Sequence, residues 1–193
     1  MFKIAFLILS LLISGCASPV PTFYYTLDTV SPTTEQNSAH SKSKRVVGIG
    51  PTTLPSLLNR KAIVTRNTEN AIQLATTQQW AEPLIENIPR VIARNLALSQ
   101  PSHLFHVYPW TAFGNVDHRI VIEILQFDAQ LGKSVTFEAI WALKDEQKQQ
   151  TLQQNRTKLE RPLKSENYAE MVNTMNQILG IFSQELSEAL CKI

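Results

Sequence analysis

The side chains able to do chemistry in this 193-residue chain are few: two cysteines, four histidines and 16 carboxylates. A metal site needs several ligands around one ion, and nucleophilic catalysis needs a thiol or hydroxyl beside a base. His103 and His106 form the one closely spaced histidine pair. On a strand, residues three apart point to opposite faces, so the two rings are not expected to share a metal. Asp117 beside His118 could begin a dyad, but no serine or cysteine is placed to complete it. Glu123 and Glu138 fall in two long apolar segments that should pair, and facing carboxylates can cleave glycosides. Exposed strand glutamates are far commoner. The chain also lacks a Gly-rich phosphate loop, a Gly-x-Ser-x-Gly elbow and a cysteine pair for zinc. The expectation is a protein that is not an enzyme and that carries no metal and no cofactor.

Composition narrows the class further. Apolar residues at 44% and charged residues at 18% describe a globular chain with enough length to bury a core. A net charge of +2, with its densest basic cluster at Lys42, Lys44 and Arg45, builds no phosphate-tracking stripe. Nucleic acid is not an expected partner.

The chemistry that the sequence does encode lies at Cys16. Lys3 precedes an apolar run at residues 4–13, too short to span a bilayer of about 30 Å but the size of a signal peptide's hydrophobic region. Ile13-Ser14-Gly15-Cys16 then resembles the bacterial lipobox. That resemblance implies cleavage after residue 15 and covalent acylation of Cys16, a lipid rather than a cofactor. Two or three acyl chains at about 0.8 kcal/mol per methylene hold a protein on a membrane. Ala17, where an aspartate would retain a lipoprotein at the inner membrane, implies the outer membrane and a periplasmic orientation. Residues 16–22 are a short tether, reaching roughly 20 Å and stiffened by Pro19 and Pro21. The domain must sit against its membrane. With Cys16 lipidated, Cys191 has no disulfide partner within the chain.

The remaining residues, 23–193, read as one α/β domain: a mixed, mostly antiparallel sheet covered by two main helices. Strands are expected at 23–27, 45–50 (stopped by Pro51), 62–66, 71–74 and 104–108. The longest are 119–127 and 135–143, joined through Gly132-Lys133 as a hairpin, with an edge strand at 155–163. Residues 31–44 and 52–59 read as loops. Helical spacing recurs over 84–96, where Pro89 should kink or restart the helix, and over 168–190, where Ser165 or Asn167 can cap.

Several of these pieces, in order, resemble the auxiliary lipoproteins of MCE-type lipid transport systems, the PqiC/YmbA family. They are the lipobox, Tyr24-Tyr25-Thr26-Leu27, Leu54-Pro55-Ser56-Leu57-Leu58-Asn59-Arg60, Ile63-Val64-Thr65-Arg66 and Trp80-Ala81-Glu82-Pro83-Leu84. Arg90-Val91-Ile92-Ala93-Arg94-Asn95-Leu96 and the helix from Tyr168 complete the set. Pro89 departs from the family pattern, and Leu57 stands where an aromatic is common. The resemblance implies a docking component on the outer membrane for an MCE-domain protein of the inner membrane, as a homo-oligomer. The alternative is an outer-membrane activator of a peptidoglycan synthase, which the short tether disfavours. Leu54, Leu57, Leu58 and Arg60, with Trp80 second, are the expected partner contacts, since aromatics and arginine anchor interfaces. The competing reading has Leu54 and Leu57 plugging the core while Trp80 staples the start of the helix.

Overall fold

The computed structural model describes residues 20–30, 44–68 and 70–193. The signal at 1–15, Cys16 with the first part of its tether, and all but the last residue of the loop at 31–44 lie outside them.

The sheet follows from alternation. In strand β7 (Ser134–Asp145), Val135, Phe137, Ala139, Trp141 and Leu143 are all buried while the residues between them are half-buried. That pattern fits a strand with one dry face. The Gly132 turn, at φ +72°, joins β7 to β6 (His118–Gln130) in a hairpin paired along its whole length. Strand β8 (Gln150–Pro162) adds to the other edge of β7, also antiparallel. Since β7 occupies one edge of β6 throughout, the two strands that pair in parallel with β6 must share the other. These are β2 (Val46–Thr53) along its first half and β3 (Ala62–Arg66) near its end. Strand β5 (Leu104–Val107) extends the β2 side in parallel, and β4 (Ile72–Trp80) extends the β3 side antiparallel. The short β1 (Phe23–Tyr25) lies parallel to the end of β4. The sheet is therefore mixed, with its long ladders antiparallel, and β6 is its central strand.

Two helices cover one face. Helix α1 (Leu84–Ser99) and helix α2 (Tyr168–Leu190) join β2, β6 and β7 in a single core. Phe137 packs between Phe127, met edge-on, and Phe182, met at a tilt, with ring centroids 5.2 and 4.9 Å away. Asn167 caps α2, its side chain accepting from the Ala169 N–H at 2.7 Å. The helices meet across a small-residue seam, where Asn95 donates to Ser183 and Gln100 donates to the Ser187 carbonyl at 2.7 Å. Beneath them, Trp141 donates to the Thr157 hydroxyl, which in turn donates to Glu185, so β7, β8 and α2 are linked through satisfied polar groups.

At four places the structure departs from what local pattern alone suggests. Strand β2 continues through Pro51 to Thr53, because Pro51 sits at a register shift where no ladder N–H is required. Strand β4 runs on to Trp80, not Leu74; its second half is polar, but the backbone pairs with β1 and with Lys61 and Ala62. A bulge between Ile124 and Gln126 reverses the phase of β6, so Phe127 shares the buried face of Ile120, Ile122 and Ile124. Helix α1 is continuous from Leu84 through Pro89. A proline costs a helix interior about 3 kcal/mol. Burying Leu84, Ile88, Val91, Ile92 and Leu96, at about 1.5–3 kcal/mol each, outweighs that.

Candidate docking site

Two of the stretches singled out in the sequence meet in space. After β2, Pro55 accepts from the Leu58 N–H at 2.9 Å and Leu58 from the Arg60 N–H at 3.0 Å, a tight turn that reverses the chain into β3. Just beyond, the Trp80 N–H donates to the Lys61 carbonyl at 2.7 Å, bringing the end of β4 against that turn. Between them lies a recess of about 210 Å³, lined by Asn59, Arg60 and Lys61 on one side and by residues 80–83 on the other. Its floor is apolar: Trp80 is buried, and Ala81 and Pro83 flank it.

Charge is distributed unevenly around this recess. Glu82 forms an ion pair with Arg90 and accepts hydrogen bonds from Asn87 at 2.6 Å and Thr26 at 3.1 Å. Arg60 and Lys61 are exposed, and their side chains have no partner among the described residues. The rim therefore presents free positive charge above an apolar floor, which suits a group that is apolar at its tip and acidic beside it.

The predicted contact residues divide accordingly. Arg60 is on the rim. Leu58 and Trp80 are buried, so neither side chain stands on the open surface as a projecting anchor, although Trp80 still lines the recess. Leu54 and Leu57 are partly buried against the core, as the plug reading has it. Cys16 lies outside the described residues. Sequence reasoning missed Lys61 as a rim residue and Asn87 as a clamp. Asn87 is buried; it accepts from the Leu27 N–H at 2.8 Å and donates to the Leu27 carbonyl at 3.2 Å, fastening the chain that follows β1. The signal for it was an asparagine on the apolar side of a helical pattern.

The groups considered for catalysis are used elsewhere. Glu123 stands opposite Ile140, whereas Glu138 stands opposite Gln126 and pairs with Arg156, so the two do not face each other. Asp117 accepts from the Val46 N–H at 2.8 Å and from Gln147 at 3.2 Å. His106 stacks on Phe113 at 4.5 Å, while His103 is buried just before β5. Burial first, then the nearby Arg45 guanidinium, holds the imidazoles of His103 and His118 below their ordinary pKa. A hydrogen bond from the Ser165 hydroxyl lowers that of Glu170 at the start of α2. Among the described residues no group of three His, Cys, Asp or Glu side chains is gathered as a metal would require. A polar hollow beside Arg66 contains an ion pair, in which Asp128 accepts from Arg66 at 2.7 Å and also from Gln126 at 2.8 Å.

The molecule is thus an α/β domain with a cation-rimmed apolar recess at the turn after β2. Comparison with known proteins gives the particular case. Residues 25–187 match the family described as the ABC-type transport auxiliary lipoprotein component, and the chain belongs to that family. It is a membrane-associated lipoprotein component of a transport system, and its family is one of auxiliary components rather than of enzymes. The intermembrane transport lipoprotein PqiC of Escherichia coli (strain K12) is 24% identical over 179 residues, spanning 92% of this chain and 90% of its own. PqiC of Shigella flexneri gives the same figures. Two solved structures share the fold. One, an uncharacterized protein, has a TM-score of 0.73 at 17% identity, covering 89% of this chain and 99% of its own. The other, from Xanthomonas campestris, has a TM-score of 0.66 at 16% identity, covering 86% and 91%.

Proposed function

We propose that this protein is an outer-membrane lipoprotein, held by acyl chains on Cys16 and facing the periplasm, that docks an MCE-type transport protein reaching it from the inner membrane. Membership of the transport auxiliary family over residues 25–187 carries this reading. PqiC, similar over 92% of the chain, is by name an intermembrane transport lipoprotein. The recess supports a docking role in particular. Its rim residues Arg60 and Lys61 have no side-chain partner among the described residues, and its floor is apolar around Trp80. A partner segment that places an apolar side chain on Trp80 and a carboxylate near Arg60 would satisfy both. Because the anchor is short, the partner must come to the domain.

In-cell crosslinking tests this directly. Arg60 is replaced by a photoreactive residue in affinity-tagged full-length protein, and adducts are identified by mass spectrometry. An adduct with an MCE-domain protein is the expected result. Adducts with a peptidoglycan synthase in its place would overturn the transport reading in favour of cell-wall activation.

A further inference from the structure

We infer that Val20, Phe23 and Tyr24 form the surface by which the domain rests on the bilayer that holds its anchor. The inference deepens, and rests on, the reading of Cys16 as lipidated. These three side chains are 72%, 53% and 65% exposed, although they are apolar or aromatic. Phe23 and Tyr24 project from opposite faces of β1 and flank its open edge, on a backbone held by pairing with β4. Tyr25, next in line, is partly buried against the core, and its carbonyl accepts from the Ala81 N–H at 2.7 Å. Strand β1 pairs only with β4 among the described residues, so its other edge is open.

Chain length names the occupant. Val20 is four residues from Cys16, about 14 Å at full extension, and Phe23 is seven, about 25 Å. Whatever surface holds the acylated cysteine lies within that reach of the exposed rings. From residue 17 to residue 27 the chain carries no charged side chain; the first is Asp28. The stretch can therefore enter the interfacial layer without the large cost of desolvating a charge. Aromatic rings with a polar edge, such as Tyr24, settle at that depth. The second exposed aromatic surface, formed by Tyr108 and Phe113 beyond β5, has no such link to the anchor and provides the comparison.

The test uses the full-length lipoprotein purified from membranes and reconstituted into phosphatidylethanolamine–phosphatidylglycerol vesicles. In a Cys191→Ser background, single substitutions Phe23→Cys, Tyr24→Cys, Phe113→Cys and Lys148→Cys carry a spin label. Its collision rates with oxygen and with a water-soluble nickel chelate give its depth. The expected result is a several-fold higher oxygen-to-nickel ratio at positions 23 and 24 than at 113 and 148. Mass analysis of the N-terminal peptide is made on the same samples. If Cys16 is acylated and labels at 23 and 24 are as nickel-accessible as the one at 148, the membrane seat is wrong while the anchor stands. Insertion at 113 instead would also overturn it. An unacylated Cys16 removes both readings together.

Discussion

Along β7 every inward residue from Val135 to Leu143 is sealed beneath the helices, whereas at the turn after β2 Arg60 and Lys61 have no side-chain partner among the described residues. The two regions solve different problems. The first removes apolar surface from water and links the polar groups beside it, Trp141 to Thr157 to Glu185. The second holds its backbone through the Pro55–Leu58 turn and the Trp80–Lys61 bond, while the charges of Arg60 and Lys61 stay exposed, without a partner among the described residues. Stability resides in one region and exposed charge in the other. Substitutions can pull the two apart.

The largest effect belongs to the sealed face. Phe137 is fully buried between Phe127 and Phe182, and its replacement by alanine is expected to cost about 3–5 kcal/mol. A urea titration should show the midpoint fall with its slope unchanged. A loss under 1 kcal/mol would mean that this face collapses around the gap and is less tightly specified than the contacts imply.

Next comes Asn87, which belongs to the core by burial and to the recess by contact, since it also donates to Glu82. Asn87→Ala strands the N–H and carbonyl of Leu27, at a cost of about 1–3 kcal/mol. Hydrogen exchange should quicken at Leu27 before it quickens in α2. Uniform acceleration across the domain would show that the clamp and the core unfold as one unit.

How much of this was legible beforehand depended on whether local pattern or long-range contact decided the outcome. Alternation gave β7 directly, Gly132 marked its hairpin, and Asn167 marked the start of α2. Leu125, the extra residue of a bulge, looks in sequence like one more member of an alternating strand, so nothing local places Phe127 on the buried face. Pro51 and Pro89 act as breakers in isolation, yet a register shift accommodates one and a buried helix face outweighs the other. The recess was legible only in halves. Residues 54–60 and 80–84 were each singled out, but nothing local says that the Lys61 carbonyl receives the Trp80 N–H or that Leu58 and Trp80 turn inward.

Acid should loosen the domain at a third place. His103 and His118 are held below their ordinary pKa of 6.5, by burial and by Arg45; for His118, Asp145 and Asp117 work in the opposite direction. Arg45 also ties the C-terminus, donating to the Ile193 carbonyl at 2.6 Å. Because the folded pKa is lowered, the unfolded chain takes up protons first as pH falls. This part of the stability is complete above about pH 6.5 and drains away as pH drops through that value toward the folded-state pKa. Urea midpoints at pH 7.5 and 5.5 should therefore differ, with the lower at pH 5.5, and His103→Gln should narrow the difference. An unchanged gap would shift attention to other groups.

The smallest effect on folding is expected where the effect on function should be greatest. Arg60 is exposed and has no side-chain partner among the described residues, and such surface changes usually alter stability by no more than about 0.5 kcal/mol. Arg60→Glu should leave the urea midpoint near that of the parent. The same change places an acid at the rim of the recess beside Glu82, whose charge Arg90 already neutralises, and so reverses the field that a partner's carboxylate would meet. Copurification with the transport partner from cells should then drop about tenfold or more, since mispaired charge at an interface costs several kcal/mol. Lys61→Glu should act in the same direction, and a carboxylate-to-lysine change on the partner should restore binding to either variant. If Arg60→Glu binds as the parent does, the recess is not the seat of docking, and the Tyr108–Phe113 surface becomes the next place to probe. If instead the variant unfolds, Arg60 was holding the turn after all, and the division between a stabilising face and an unspent rim fails at the residue chosen to define it.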